Sequence, residues 1–124
     1  MSKRILLVDR DPTAVGAIND MLEMMGHRVQ TETSGADALS AFERNSGAFD
    51  LIITELGMPD ISGFLLVQRF LKIRSHIPVI LLTSQEGQAQ SIARESGIRW
   101  YAVKPLSITE LRGMVESAMN GSAH

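Results

Sequence analysis

The chain has 124 residues, with 12 basic and 14 acidic side chains, a net charge of −2 and no cysteine. Its length suits one domain with a sizeable core, so we expect residues 1–124 to form a single domain. The small net charge gives no sign of a nucleic-acid or membrane-surface binder. The missing cysteines exclude disulfides and thiol chemistry. No apolar run approaches the ~20 residues of a membrane span, and the N-terminus leaves no room for a signal peptide, so we expect a cytoplasmic protein.

Strands and helices are predicted to alternate along the chain. Unbroken apolar runs, such as residues 5–8 and 79–82, are typical of strands that are covered on both faces. The predicted elements are, in order, a strand at 5–8, a helix at 12–25, a strand at 27–32, a helix at 35–44, a strand at 51–53, a helix at 63–73, a strand at 79–82, a helix at 85–96, a strand at 100–103 and a helix at 108–119. This alternation favours an α/β fold with a five-stranded parallel sheet and helices on both faces. Among such folds we predict the flavodoxin-like (βα)5 order, 2-1-3-4-5.

Several helix boundaries carry capping signals. Asp11 before proline is a good helix start, and Ser34 is a candidate cap for the second helix. Ser107 and Glu110 have the spacing of a capping box. The residues predicted to face inward from the third helix are Phe64, Val67, Phe70 and Leu71.

Polar side chains follow four of the predicted strands. They are Asp9 and Arg10 after the first strand, Glu55 after the third, Thr83 and Ser84 after the fourth, and Lys104 after the fifth. One such residue alone is well explained as a polar strand end. All four strand ends together lie at the edge where parallel α/β sheets bind their ligands, and this favours a functional site.

Four segments carry a resemblance to a known family: residues 6–9 (LLVD), 55–63 (ELGMPDISG), 78–84 (PVILLTS) and 101–105 (YAVKP). With them the chain resembles the CheY-like receiver domains of response regulators, from Ile5 to Met119. The resemblance implies a signalling module of a two-component or phosphorelay system, not an enzyme. In that family a histidine kinase transfers a phosphoryl group to an aspartate in the presence of Mg²⁺.

The resemblance also implies roles for individual residues. Glu55 stands at the phosphoacceptor position, Thr83 and Lys104 match the groups that grip the phosphoryl oxygens, and Tyr101 matches the aromatic switch residue that moves with Thr83. The implied metal ligands are Asp9, Glu55 and the backbone carbonyl of Gly57.

Two positions depart from the family pattern. Glu55 replaces the aspartate that accepts phosphate, and Arg10 replaces the second acid of the metal-binding pair. Two carboxylates, Asp9 and Glu55, then face two cations, Arg10 and Lys104, so the predicted site is neutral without a metal. Mg²⁺ needs oxygen ligands, whereas arginine pairs with carboxylates. We therefore predict that Arg10 pairs with Glu55 and Asp9, that Mg²⁺ binding is weak or lost, and that no cofactor is bound.

Glu55 is one methylene longer than aspartate, about 1.5 Å, and in-line phosphoryl transfer depends on positioning and metal charge. The sequence therefore predicts a degenerate receiver, or pseudo-receiver, that is not phosphorylated at this position and acts by protein–protein interaction. Its partner would be a signalling protein such as a histidine kinase or an output domain, and a homodimer could form through the fourth helix, the fifth strand and the fifth helix.

Two alternatives stay open. One is an active receiver that accepts phosphate on Glu55 with residual Mg²⁺ binding. The other is a flavodoxin-like nucleotide- or flavin-binding enzyme, although the segment at 9–12 (DRDP) lacks the glycine- or hydroxyl-rich loop that cradles phosphate.

Two further expectations concern conformation. The Lys104–Pro105 peptide matches a joint that is usually cis in the family. Because Glu55 extends negative charge toward Thr83, we predict a resting population that leans toward the active-like state, with Tyr101 turned inward. The alternative is an inactive-like scaffold in which Glu55 is tied to Arg10 and Tyr101 points to solvent.

Overall fold

Five parallel strands form one sheet in the computed structural model, which describes residues 2–120 apart from the side chain of residue 86. The strands are β1 (Arg4–Val8), β2 (Arg28–Glu32), β3 (Leu51–Glu55), β4 (Val79–Thr83) and β5 (Trp100–Val103). The helices are α1 (Pro12–Met24), α2 (Gly35–Arg44), α3 (Gly63–Ile73), α4 (Glu86–Ser96) and α5 (Ile108–Asn120), with a short 3-10 turn at Ser46–Ala48. The strand order is β2-β1-β3-β4-β5, which confirms the predicted topology.

Side chains of the central strands alternate between two hydrophobic clusters. Ile5 and Leu7 of β1 pack with α1 and α5 on one face, while Leu6 and Val8 pack with α2, α3 and α4 on the other. All four side chains are fully buried. The unbroken apolar runs therefore reflect strands that are covered on both faces. No helix among residues 2–120 is long and apolar enough to cross a membrane.

The predicted helix caps are confirmed. Asp11 and Ser34 accept hydrogen bonds from backbone N–H groups in the first turns of α1 and α2. Ser107 and Glu110 form the reciprocal capping box: the N–H of Glu110 donates to the Ser107 hydroxyl at 3.1 Å, and the N–H of Ser107 donates to the Glu110 carboxylate at 3.0 Å. The predicted cis peptide at Lys104–Pro105 is also present.

The predicted orientation of α3 is wrong at its first turn. Phe64 is 38% exposed, although it was expected to face inward. The buried side chains of α3 are Leu66, Val67 and Phe70. A Cβ at Gly63 would lie 2.7 Å from the Cα of Leu56, so this end of the helix packs through its backbone against the segment that follows β3. The buried face of α3 is therefore formed by Leu66, Val67 and Phe70, and Phe64 lies at the edge of that face.

The strand register brings the predicted site residues to one edge of the sheet. Glu55 pairs with Leu82, one residue before Thr83. Asp9 directly follows β1 and Lys104 directly follows β5. Because all the strands are parallel, these four polar residues lie at the carboxyl-terminal edge, where α/β sheets form ligand sites.

Candidate functional site

The ammonium group of Lys104 joins two carboxylates at the carboxyl-terminal edge of the sheet. Its Nζ atom lies 2.9 Å from Oδ2 of Asp9 and 3.2 Å from Oε1 of Glu55. Asp9 is fully buried and Glu55 is 6% exposed. We call Asp9, Glu55 and Lys104 the ion cluster. With two carboxylates and one ammonium, its formal charge is −1.

Backbone contacts fix the two ends of the ion cluster. Oδ1 of Asp9 accepts a hydrogen bond from the N–H of Asp11 at 2.9 Å, which leaves Oδ2 to face Lys104. The backbone N–H of Lys104 donates to the carbonyl of Thr83 at 2.7 Å, so its side chain starts from the end of the β4–β5 ladder. The side chains of Asp9 and Lys104 therefore extend from backbone that is held in place by the sheet and by the start of α1.

Burial and the neighbouring charges shift the pKa values of Glu55 and Lys104. Burial raises the pKa of Glu55, and the neighbouring Asp9 raises it further, while Lys104 opposes the shift only in part. Burial would lower the pKa of Lys104, but its hydrogen bonds to Asp9 and Glu55 and their negative charges outweigh burial and raise it. The cluster therefore holds the lysine firmly charged, while Glu55 carries its charge at a cost in free energy.

Arg10 does not take the predicted place in the cluster. Its side chain is exposed, and among residues 2–120 the ion pairs of Asp9 and Glu55 are made with Lys104. The expectation that Arg10 pairs with both carboxylates, and that the site is neutral, is therefore wrong. The physical reason is that Lys104 already occupies the space between the carboxylates, and a long basic side chain at the start of a loop extends readily into solvent.

The other predicted residues lie around the cluster without joining it. Thr83 is 3% exposed, and its hydroxyl oxygen accepts a hydrogen bond from the N–H of Gln85 at 3.0 Å. A Cβ at Gly57 would lie 3.6 Å from Oε1 of Glu55, so the chain after β3 passes close to that carboxylate. Tyr101 is half-buried and packs against the hydrophobic cluster beneath α2, α3 and α4.

These contacts match neither predicted resting state in full. Tyr101 is half-buried, between the inward position of the active-like prediction and the solvent-pointing position of its alternative, and the Thr83 hydroxyl oxygen accepts from the backbone N–H of Gln85. Glu55 is tied to a cation, as in the inactive-like prediction, but the cation is Lys104 and not Arg10.

Asp60 has a structural role that was not predicted. Its Oδ1 accepts a hydrogen bond from the N–H of Gly35 at 3.0 Å, and its Oδ2 accepts one from the N–H of Ala36 at 2.9 Å. These N–H groups of Ala36 and Gly35 lower the pKa of Asp60. We call this contact the Asp60 clamp. It ties the segment between β3 and α3, which passes Glu55, to the start of α2.

The sequence indicates the donors of the clamp but not its acceptor. The first turn of a helix leaves backbone N–H groups that need acceptors, and Ser34 caps only the N–H of Asp37. Gly35 also permits a close approach, because a Cβ there would overlap Cγ2 of Ile61.

An apolar groove lies beside the ion cluster, between α1 and residues 104–106. Its volume is about 450 Å³. Its apolar lining consists of Ala14, Ala17, Ile18, Met21, Pro105 and Leu106. Its polar lining consists of Asp11, Thr13 and Lys104, so the groove and the ion cluster have Lys104 in common.

The donor set at the cluster can be compared with what Mg²⁺ requires. Within residues 2–120 no group of three or more His, Cys, Asp or Glu side chains is placed to hold a metal ion. Mg²⁺ needs an octahedron of oxygen ligands at about 2.0–2.1 Å. Here two carboxylates face one another across an ammonium group, with Gly57 beside Glu55.

Comparison with known proteins identifies the family. The model of the response regulator receiver domain matches residues 5–116. The receiver domain protein from Clostridium thermocellum is 31% identical, with a TM-score of 0.88, and the alignment covers 96% of this chain and 95% of that one. The response regulator TrrA from Thermotoga maritima, solved in complex with Mg²⁺-BeF, is 30% identical with a TM-score of 0.83, covering 94% of this chain and 98% of that one.

Similar curated proteins are longer. The two-component response regulator ORR24 of rice (Oryza sativa subsp. indica) is 33% identical over 111 residues, which are 88% of this chain and 17% of that protein. The DNA-binding transcriptional regulator NtrC of Azospirillum brasilense is 34% identical over 119 residues, 95% of this chain and 24% of that protein. The family model, these relatives and the fold agree, and the chain belongs to the response regulator receiver family.

Proposed function

We propose that this receiver domain is a signalling module of a two-component system that is not phosphorylated at the usual position and acts through protein–protein contacts. The observation that carries the proposal is the ion cluster. The side chain at the acceptor position, Glu55, is a glutamate whose Oε1 lies 3.2 Å from Lys104, and the same lysine is held by Asp9.

Phosphoryl transfer depends on the position of the acceptor oxygen and on charge neutralisation around the phosphoryl group. Glu55 displaces its carboxylate by about 1.5 Å relative to aspartate. Lys104, which would neutralise a phosphoryl group, is shared between two carboxylates. Both requirements are therefore weakened at this site.

The residues present do not fit a Mg²⁺ ion, so we propose no cofactor. Arg10, at the position of the second acid, offers no oxygen ligand and is exposed. The remaining carboxylates, Asp9 and Glu55, are both in contact with the Lys104 ammonium. A metal ion between them would have to displace that ammonium from both carboxylates and would bring its own charge close to it.

The relatives indicate the setting in which such a module works. They are named two-component response regulators and a DNA-binding transcriptional regulator, and this chain matches a quarter or less of their length. We infer a histidine kinase or an output domain as the partner. The same proposal includes a cytoplasmic location and a homodimer through α4, β5 and α5. It also includes the absence of catalysis and of direct nucleic-acid binding by this domain.

A second candidate is an active receiver that accepts phosphate on Glu55 with residual Mg²⁺ binding. It is favoured by the retention of Asp9, Thr83 and Lys104 at the strand ends, and by the similarity to TrrA, whose structure contains Mg²⁺-BeF. The membership in a signalling family favours both candidates over the nucleotide- or flavin-binding enzyme that the fold alone left open.

Beryllofluoride, which imitates a phosphoryl group, distinguishes the two candidates. The ¹⁵N-labelled domain is titrated with beryllofluoride and Mg²⁺ while amide shifts near Glu55, Thr83 and Lys104 are followed by NMR. We expect no saturable shift in the natural chain and a saturable shift in the double variant Glu55→Asp with Arg10→Asp. Saturable binding to the natural chain with shifts centred on Glu55 would favour the active receiver.

A further inference from the structure

Helix α3 concentrates the exposed apolar side chains of the domain. Among residues 2–120 five large apolar side chains are exposed, and three of them, Phe64, Leu65 and Ile73, belong to α3. Leu65 has 43% of its surface exposed. Apolar residues that are exposed singly are ordinary, whereas contiguous ones mark an interaction surface, and Phe64 and Leu65 are neighbours in the first turn of α3.

The charged residues of α3 are of one sign. They are Arg69 and Lys72, both exposed, and the helix contains no acidic residue although the chain as a whole has a net charge of −2. No carboxylate among the described side chains lies within ion-pairing distance of either cation. The next basic residue, Arg74, differs, because its guanidinium donates to the carbonyls of Ser46 and Phe49 at 2.8 and 2.6 Å.

One of these apolar residues, Leu65, shares a stripe of the helix with the two basic residues. Leu65, Arg69 and Lys72 follow the i, i+4, i+7 spacing that places side chains along one face. Gln68 lies beside them, and its amide donates to the hydroxyl of Ser96 in α4 at 3.3 Å. A shallow groove of about 690 Å³ is lined by Leu65, Gln68, Arg69, Leu71 and Lys72. We call Leu65, Arg69 and Lys72 the α3 stripe.

We propose that the α3 stripe docks an acidic amphipathic helix of a partner protein. Apolar side chains of that helix would cover Leu65 and the neighbouring Phe64, and its carboxylates would pair with Arg69 and Lys72. Two exposed cations beside exposed apolar surface offer an acidic segment both charge complementarity and apolar area to bury.

Two other occupants fit this surface less well. A symmetric contact between the α3 stripes of two copies would bring Arg69 and Lys72 close to their own equivalents, which like-charge repulsion disfavours. An anionic membrane gains about 1 kcal/mol per basic residue, and two cations in a chain with a net charge of −2 provide little attraction to such a surface.

A synthetic peptide serves as the probe. It is an amphipathic helix with leucine on one face and glutamate on the flanks, and its matched control carries lysine in place of every glutamate. Binding to the ¹⁵N-labelled domain is followed by amide shifts and by fluorescence anisotropy of the labelled peptide. We expect the glutamate peptide to shift amides of residues 64–73 and the lysine peptide to leave them unchanged.

Charge reversal tests the named side chains. Arg69→Glu combined with Lys72→Glu should weaken binding of the glutamate peptide about tenfold, because two attractive rim charges become repulsive. Arg112→Glu reverses an exposed cation on α5 and should leave the affinity within about twofold. Circular dichroism checks folding, and if the double variant does not fold, Arg69→Gln replaces it with a smaller expected loss.

Several results would overturn the proposal. They are peptide shifts outside α3, equal binding of the lysine peptide, and an equal loss of affinity in Arg112→Glu. Binding to vesicles of phosphatidylserine that the double charge reversal abolishes would assign the stripe to a membrane. A dimer seen by sedimentation and abolished by the same variant would assign it to a second copy.

Discussion

Lys104 donates a hydrogen bond of 2.9 Å to Asp9, a residue 95 positions away whose side chain is fully buried. The same ammonium lies 3.2 Å from Glu55. Lys104 therefore contacts two carboxylates at once. The cluster keeps an excess negative charge that Arg10 does not offset.

This excess charge predicts that Glu55→Gln stabilises the fold. The substitution removes a carboxylate from the neighbourhood of Asp9 but leaves an amide oxygen that can accept from Lys104. We expect the free energy of unfolding at pH 7 to rise by about 1 kcal/mol, a typical size for single substitutions. Urea denaturation measures it, with Glu43→Gln on the exposed side of α2 as the matched control, for which a change within about 0.5 kcal/mol is expected. A loss of stability in Glu55→Gln would contradict the account.

Removal of the lysine should have the opposite effect. Lys104→Met leaves Asp9 and Glu55 next to one another without a counter-ion, and hydrogen bonds to charged groups contribute about 1.5–3 kcal/mol each. We expect a loss of about 2 kcal/mol in the free energy of unfolding. Adding Glu55→Gln to Lys104→Met should recover more than the change that Glu55→Gln produces in the natural chain, because it then removes a carboxylate that has no counter-ion. If the two effects are simply additive in denaturation experiments, the residues are not coupled as the cluster requires.

The Asp60 clamp predicts a local effect on two helical amides. Asp60→Ala removes the acceptor for Gly35 and Ala36, so their hydrogen exchange should accelerate about tenfold while exchange in the central strands stays unchanged. Asp20→Ala, an exposed carboxylate on α1, serves as the control. Unchanged exchange at Gly35 and Ala36 would show that the clamp does not hold the start of α2 in solution.

The clamp also has a defined pH dependence. The N–H groups of Ala36 and Gly35 lower the pKa of Asp60 in the folded state. The contribution to stability is therefore complete above the ordinary aspartate pKa and is lost as the pH falls from there through the lowered value. Exchange at Gly35 and Ala36, compared between the natural chain and Asp60→Ala, should converge at strongly acidic pH.

The contacts of His27 predict a second pH dependence of stability, at less acidic pH than that of Asp60. Its Nδ1 accepts a hydrogen bond from the N–H of Lys3 at 3.1 Å, which requires that nitrogen to be unprotonated. Burial, followed by nearby positive charges that include Lys3, lowers the pKa of His27 below its ordinary value of 6.5. The unfolded chain therefore takes up the proton first as the pH falls, so stability decreases below about pH 6.5 and levels off once the folded pKa is passed.

Urea denaturation at pH 7.5 and pH 5.5 checks this prediction. His27→Gln should reduce the difference in unfolding free energy between the two pH values. His76→Gln changes an exposed histidine and should preserve that difference. An unchanged pH dependence in His27→Gln would assign the effect to other groups.

The fold could be predicted from the sequence because its signals are local and repeated. The runs at 5–8 and 79–82 are apolar on both sides of the strand, and Asp11, Ser34 and the pair Ser107–Glu110 mark helix starts. The order β2-β1-β3-β4-β5 and the convergence of Asp9, Glu55, Thr83 and Lys104 at one edge followed from this alternation and from the family resemblance.

The details of the site could not be predicted because they depend on which of several neighbouring side chains forms a given contact. Charge counting placed Arg10 among the carboxylates, but Lys104 reaches both and Arg10 is exposed. Spacing placed Phe64 inside, but the packing of Gly63 against Leu56 leaves Phe64 on the flank of α3. The Asp60 clamp joins residues 25 positions apart, and no local pattern specifies such a partner.

Intact mass spectrometry after incubation with acetyl phosphate and Mg²⁺ tests most directly whether Glu55 accepts phosphate. We expect the natural chain to keep its mass, and the double variant Glu55→Asp with Arg10→Asp to gain one phosphoryl group that hydroxylamine removes, as for an acyl phosphate. Each single variant should gain less than the double variant. A stable acyl phosphate on Glu55 of the natural chain, located by peptide fragmentation, would contradict the account.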